Sequence, residues 1–267
     1  MSRPLAFGRN QFRQLALAHS LEALRDRRGM VTMLLIFGGM TIGLSVLDLL
    51  VAANTKSRLP GALMGAGVLA SSLPLIALIG FTSLGLTSTA VPLAKYRSNG
   101  TLRQLGTTAV SRTLFIAAHL PIRLALGFIQ IVILLALAVL FTPTTLATLS
   151  RASTLLVAAM LLLLALGYLI GARFQNPERT MNFSYILILV LIATSGTALP
   201  HSAFPDAVGA TLSWLPTTLL TEQLASELLG TSPAPIPLWL TTILLFSLAA
   251  GTFALACKLF QWSDSDA

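Results

Sequence analysis

Six long apolar runs constrain what this chain can fold into. Each is close to the ~20 residues that a helix needs to cross the ~30 Å hydrocarbon core of a bilayer. The runs cover residues 30–53, 62–87, 121–141, 152–172, 183–200 and 236–260. The sequence therefore predicts an all-α, polytopic membrane protein with six transmembrane helices.

The composition agrees with a membrane protein. The chain is 55% hydrophobic and only 10% charged, with a mean hydropathy of +0.84, whereas a soluble domain carries roughly 25% charged residues. The net charge of +8 is therefore no indication of nucleic-acid binding, and we expect no nucleic-acid partner. Cys257 is the single cysteine, which excludes a disulfide within the chain.

The basic residues predict the orientation in the membrane, because cytoplasmic segments carry an excess of Lys and Arg. With the N-terminus inside, six arginines precede residue 30, four basic residues lie in 88–112, and three more are on the same side: Arg173, Arg179 and Lys258. The opposite side has Lys56, Arg58 and Arg151. We therefore expect a multi-pass protein of the cell membrane with both termini in the cytoplasm.

The segments outside the six runs also have predicted structures. In residues 1–29, Leu17, Leu21 and Leu24 form one stripe, which favours a helix lying along the cytoplasmic membrane surface. A solvated helix leading into the first span is the alternative. Residues 30–260 would form the transmembrane domain and 261–267 a cytoplasmic tail.

The loop 201–235 lacks Lys and Arg and is predicted to be external. It contains two short, moderately apolar segments, 204–214 and 216–229, each with a proline near its first turn, where proline suits a helix. Both are too short to span a bilayer. We expect a re-entrant helical hairpin in the outer leaflet, with a loose external loop as the alternative.

The segment 95–112 carries Lys95, Arg97, Arg103 and Arg112 and no acidic residue. Leu102 and Leu105 are three residues apart, so they share one face of a helix. A short basic helix between two spans on the cytoplasmic side is suited to contact with a soluble partner.

The chain lacks the sequence motifs with which a transporter would bind ATP by itself. It has no G-x-x-x-x-G-K-[ST] phosphate loop, so we expect it to bind no ATP. Its spans have no H-E-x-x-H, no carboxylate pair and no Asp/His cluster, so we expect no catalytic or metal site. An ion-coupled transporter needs an ionisable group in a span, and Asp48, His119 and Arg123 are the candidates. All three are expected near span ends. The third span could begin as early as Thr113, but Pro121 predicts a break before it. Residues 113–120 would then form an interfacial elbow, with Arg123 reaching back toward the headgroups.

Two sequence segments resemble a known family. Asn99-Gly100-Thr101-Leu102-Arg103-Gln104-Leu105, followed by Thr108-Ala109-Val110-Ser111-Arg112, is similar to the G-T-L-x-x-L…T-P-V-S-R stretch of type-2 ABC exporter permeases. Trp214-Leu215-Pro216-Thr217-Thr218-Leu219-Leu220 resembles the L-P-x-T-Y-L segment of the family's external hairpin. This chain has Ala109 in place of the motif's proline.

The resemblance implies a permease subunit of an ATP-driven exporter. The segment 95–112 would be the coupling helix that docks on a separate ABC ATP-binding subunit, which would hold ATP and Mg. The coupling residues would be Gly100, Thr101, Leu102, Arg103, Leu105 and Ser111. A second permease chain, identical or related, would pair with this one around a path lined by spans two and five, with Ser71, Ser72, Thr82, Asn182, Ser184, Thr194 and Ser195 as candidates.

The apolar spans favour an amphipathic or lipid-like cargo, such as a drug, an antibiotic, a lipid or a glycolipid, in contact with membrane lipid. For Leu102 and Leu105, anchoring of the segment is the alternative to docking. A membrane scaffold or sensor without transport and a proton-coupled carrier are the alternative functions.

Overall fold

The computed structural model describes residues 4–25, 27–53, 67–107, 111–197, 201, 204–230 and 235–260, and within these ranges the chain forms helices and no strand. The helices are α1 (Pro4–Arg25), α2 (Arg27–Ala53), α3 (Val68–Ser98), α4 (Thr101–Gly106), α5 (Arg112–Phe141), α6 (Leu146–Arg173), α7 (Pro177–Thr194), α8 (Asp206–Leu212), α9 (Pro216–Leu229) and α10 (Leu238–Leu259). The all-α prediction is confirmed for this part of the chain.

Four stretches in the described ranges are long and apolar enough to cross a membrane. They are Val68–Ser98, Leu114–Phe141, Leu146–Arg173 and Leu238–Leu259. The predicted first span falls on α2, whose apolar stretch Leu35–Leu50 is shorter, and the predicted fifth begins within α7. The full count of six spans stays a prediction, and the tail 261–267 lies outside the described residues.

Helices α3 and α6 form the centre of the bundle. In the most apolar part of α3, 83% of the residues are buried, and in that of α6, 72% are buried. The corresponding shares are 28% for α5 and 22% for α10. Helix α6 packs against α10 on one side and α3 on another. The outer faces of α5 and α10 expose large apolar side chains, including Phe128, Leu140, Trp239 and Ile243. Such faces suit contact with lipid.

Two glycines allow the backbones of α3 and α6 to meet. A Cβ at Gly85 would collide with the carbonyl oxygen of Leu163, and a Cβ at Gly167 would collide with that of Gly85. Gly85 lies in Ser83–Ala90, which is a π-helical segment of α3. Small residues permit this close approach of membrane helices. The contact fixes α3 against the central helix.

Helix α5 continues through Pro121, so the predicted elbow at 113–120 is wrong. The Oγ of Ser111 accepts a hydrogen bond from the backbone N–H of Leu114 and caps the helix start. Proline removes only one backbone donor, and α1 packs over this part of α5, where Phe115 and Ala118 are buried. Tertiary packing therefore keeps the turn before Pro121 helical.

The predicted pair of short helices in 201–235 is present as α8 and α9. Helix α9 is packed against α3 and α6, and two of its hydroxyl groups bond to the end of α7. Thr218 Oγ1 donates to the carbonyl oxygen of Thr194 at 2.9 Å, and Thr221 Oγ1 donates to that of Ser195 at 2.7 Å. Helix α9 is therefore part of the bundle, whereas its depth in the membrane stays a prediction.

Candidate functional site

Residues 95–112, the predicted coupling segment, contain a short helix that begins after a backbone reversal. Gly100 has φ of +74°, in the left-handed region that favours glycine. Its N–H donates to the carbonyl oxygen of Arg97 at 3.0 Å, and its own carbonyl accepts from the N–H of Gln104 at 3.1 Å. The chain thus turns sharply between the end of α3 and the start of α4.

Leu102 and Leu105 hold α4 against the body of the protein. Leu102 is fully buried in the main hydrophobic core, and Leu105 is half-buried against the same core. A helix of six residues has no stability of its own, so these contacts keep it in place. The alternative reading, an anchoring role, fits Leu102, because its side chain has no surface to offer a partner.

The exposed part of the segment is polar. Two residues of α4 are exposed, Thr101 and Gln104, and so is Thr107 at its C-terminal end. Ser111 at the N-cap of α5 is exposed as well. Residues 108–110 and the side chain of Arg103 lie outside the described part of the chain. Among the described side chains of α4, the exposed ones therefore carry hydroxyl and amide groups, while Leu102 faces the core.

Arg97 joins the coupling segment to the end of the central helix. Its Nη1 donates to the carbonyl oxygens of Gly171 at 3.3 Å and Phe174 at 2.8 Å, and its Nη2 donates to that of Ala172 at 3.0 Å. The guanidinium also lies 5.6 Å from the centre of the Phe260 ring. Those carbonyls end α6, where the helix dipole favours a cation. Arg97 therefore links α3, α6 and the end of α10.

A cluster of aromatic and imidazole rings joins α1 to the bundle. The ring of His19 is 5.7 Å from that of Tyr96, 5.1 Å from Phe115 and 5.1 Å from His119. The Tyr96 hydroxyl donates to Oε2 of Glu22 at 2.5 Å. Burial, assisted by the charge of Arg123, lowers the pKa of His19 to about 4. His19 is therefore neutral near pH 7.

His119 and Arg123 are both buried inside the protein, whereas the sequence predicted that the Arg123 side chain extends outward from its span. His119 is buried, with its Nδ1 3.0 Å from the Tyr168 hydroxyl. Arg123 is 5% exposed and donates through Nη1 to Oγ of Ser88 at 2.5 Å. Helices α1 and α3 cover this part of α5, so both polar groups have hydrogen-bond partners within the protein.

Asp48 has a structural partner. Its Oδ1 accepts a hydrogen bond of 2.6 Å from the backbone N–H of Val68, the first residue of α3. A carboxylate at a helix N-terminus satisfies a free donor and complements the helix dipole. This contact supports a capping role for the only acidic side chain that the sequence offered for proton coupling.

Most of the predicted path residues bond within their own helix. Ser71 and Ser72 donate to the carbonyl oxygen of Val68, Thr82 donates to that of Leu78, and Thr194 and Ser195 likewise donate to carbonyls of the α7 region. Ser184 differs: it is buried and donates across to the carbonyl oxygen of Leu86 in the π-helical segment, at 3.2 Å. Asn182 is exposed on α7. Their role in a path stays a prediction.

No group of three or more His, Cys, Asp or Glu residues that could hold a metal ion occurs in the part of the chain that the structure describes.

The described residues form a helical bundle with an apolar outer surface. A short helix with a polar exposed face, α4, lies between two of its spans. These features are those of a polytopic membrane protein.

Comparison with known protein families identifies the family to which this chain belongs. Residues 53–258 match the family of ABC-2 family transporter proteins, and because the match covers most of the chain, the protein belongs to that family. It is therefore a transmembrane ABC permease, a class of membrane subunit that has no ATP-binding domain of its own. Among curated proteins none matches the chain.

Proposed function

We propose that this chain is the permease subunit of an ATP-driven exporter and that α4 docks on the ATP-binding subunit. The observation that supports the proposal is the placement of α4 in a chain of this family. It is a short helix with an exposed polar face, held at the end of the most buried helix of the bundle. A force on α4 would act directly on α3.

The contacts of the coupling segment suit transmission. Arg97 bonds the end of α3 to the end of α6, and Leu102 fixes α4 in the core. Helices held together in this way move as rigid bodies, because a packed interior does not deform continuously. Closure of the ATPase dimer would therefore move α3 and α6 together and shift the permease between its inward-open and outward-open states.

Pairing and cargo are part of the same proposal. Two permease chains, identical or related, would enclose the path, and spans two and five would line it. Asn182 and Ser184 on α7 and the hydroxyls of α3 are the candidate lining residues. An amphipathic or lipid-like cargo suits spans with few charges. ATP and Mg would bind only to the partner subunit.

The test is to purify the tagged chain in lipid nanodiscs, identify the ATPase that copurifies, and measure ATP hydrolysis by the complex. The double variant Thr101→Glu and Gln104→Glu adds two negative charges to the exposed face of α4 without touching Leu102. We expect it to reduce chain-dependent ATP hydrolysis or copurification at least tenfold, since like-charge or unpaired groups at an interface are costly.

The matched control is Thr211→Glu, which places the same charge on an exposed residue of α8, in the hairpin. It should leave ATPase binding and hydrolysis unchanged. If the α4 variant retains full coupling, or if the control loses as much, α4 is not the docking helix. If no ATPase copurifies with the wild-type chain, the exporter assignment itself fails.

A further inference from the structure

A cavity of ≈ 470 Å³ lies between α1, α3, α5 and α7, next to the start of the coupling segment. Its volume falls in the range of roughly 300–1,000 Å³ that is usual for ligand pockets. Three of its lining residues are basic, Arg25, Lys95 and Arg123, whereas among the described lining residues only Glu22 is acidic. The cavity therefore favours a negatively charged group.

The basic residues occupy different depths. Arg25 and Lys95 are exposed, while Arg123 is 5% exposed and bonded to Ser88, another lining residue. The carboxylate of Glu22 is engaged by the Tyr96 hydroxyl. A ligand that enters past Arg25 and Lys95 would thus meet a buried guanidinium and a serine hydroxyl. Arginine and hydroxyl donors are well suited to phosphate oxygens.

A buried polar atom in the lining adds a hydrogen-bonding group that a ligand can use. His19 lines the cavity and is 7% exposed, and its Nε2 has no hydrogen-bond partner among the residues that the structure describes. Buried polar atoms in native proteins are nearly always bonded to protein, ordered water or a ligand. The low pKa of His19 keeps this ring neutral, so it adds a hydrogen-bonding group to the site rather than a fourth charge.

One part of the lining is apolar. Val91, Pro92 and Met181 face the same cavity. A free inorganic anion would gain nothing from these side chains, whereas an acyl chain would bury apolar surface against them. The sequence favours an α1 that lies along the membrane surface, and in that position the cavity would be at the level of the headgroups.

We propose that this cavity binds the phosphate-bearing headgroup of an anionic amphipathic molecule, with Arg25, Lys95 and Arg123 contacting the phosphate and Val91, Pro92 and Met181 contacting the first part of the chain. The proposal goes beyond the proposed function, because it concerns binding by this chain alone, without ATPase or transport.

The experiment titrates the purified chain in detergent with short-chain phosphatidylglycerol and, separately, phosphatidylcholine, and counts bound lipid by native mass spectrometry. The variant Arg25→Gln with Lys95→Gln removes two exposed cations and should fold normally. We expect its affinity for phosphatidylglycerol to be about tenfold lower than that of the wild type. Wild-type binding of phosphatidylcholine should be the weaker of the two.

The matched control is Arg173→Gln with Arg179→Gln, which removes two exposed cations that do not line the cavity. It should bind phosphatidylglycerol as the wild type does. An equal loss in the control would show that diffuse surface charge attracts the lipid, and unchanged binding in the cavity variant would exclude the site.

Inorganic phosphate serves as a third arm. Displacement of phosphatidylglycerol by inorganic phosphate at the same concentration would show that a free anion suffices and would overturn the proposal of an amphipathic ligand. All of these measurements omit the ATPase. A negative result would therefore leave the docking role of α4 untouched, and loss of docking would leave lipid binding in place.

Discussion

At the scale of single residues, Arg97 shows how a basic side chain of the segment 95–112 can bond within the protein itself. In the sequence it is one of four basic residues in 95–112. In the structure its guanidinium donates to three carbonyls that close α6. Those acceptors are 74 to 77 residues away along the chain, and no local spacing encodes such a contact.

We predict that Arg97→Gln destabilises the protein by roughly 2–4 kcal/mol, since hydrogen bonds from a charged group and the compensation of the helix end are lost together. Thermal unfolding in detergent would measure the change. Arg173→Gln, an exposed cation at the end of the same helix α6, should change the unfolding free energy by less than about 0.5 kcal/mol. Equal effects of the two variants would rule out this role.

At the scale of the helices, hydropathy and turn residues were enough to predict most of the helical elements. The apolar runs predicted the four long helices, and Pro205 and Pro216 predicted the two short ones. The continuity of α5 through Pro121 was not predictable, because it depends on α1 packing over Phe115 and Ala118. For the same reason the burial of Leu102 and Arg123 could not be read from the sequence, which shows polarity and spacing but not which helix covers which.

The contact between α3 and α6 provides a second prediction. Gly85→Ala or Gly167→Ala places a methyl group against backbone atoms that cannot move aside without separating two buried helices. We expect each variant to cost several kcal/mol or to prevent folding. Gly251→Ala on α10 is the control: nothing lies within 4 Å of its added Cβ, so the change should be neutral or slightly stabilising. Resistance to heat and to protease would separate the three variants, and a stable Gly85→Ala would refute the contact.

At the scale of the whole molecule, the attachment of α1 to the bundle depends on a neutral His19. The titratable or charged groups around His19 come from three helices: Tyr96 from α3, His119 and Arg123 from α5, and Glu22 from α1 itself. Its pKa is about 4 in the folded protein against 6.5 for an exposed histidine. The unfolded chain therefore binds more protons between these two values.

It follows that the stability contributed by neutral His19 is complete above pH 6.5 and is lost as the pH falls toward 4, by at most about 3 kcal/mol. Denaturation in detergent at pH 7, 5.5 and 4.5 would follow this loss. The variant His19→Phe keeps an aromatic ring in the cluster but cannot be protonated, so its stability should fall less over the same range. Parallel curves for the two proteins would mean that His19 is not the group responsible.

The continuity of α3 has a consequence for how the two faces of the protein communicate. At 31 residues it is about 46 Å long, and it leads into α4 at one end and contacts α9 of the hairpin along its first half. A tilt imposed at one end must therefore be felt at the other. If α4 is displaced, the end of α3 that contacts α9 can therefore move with it, without another helix between them.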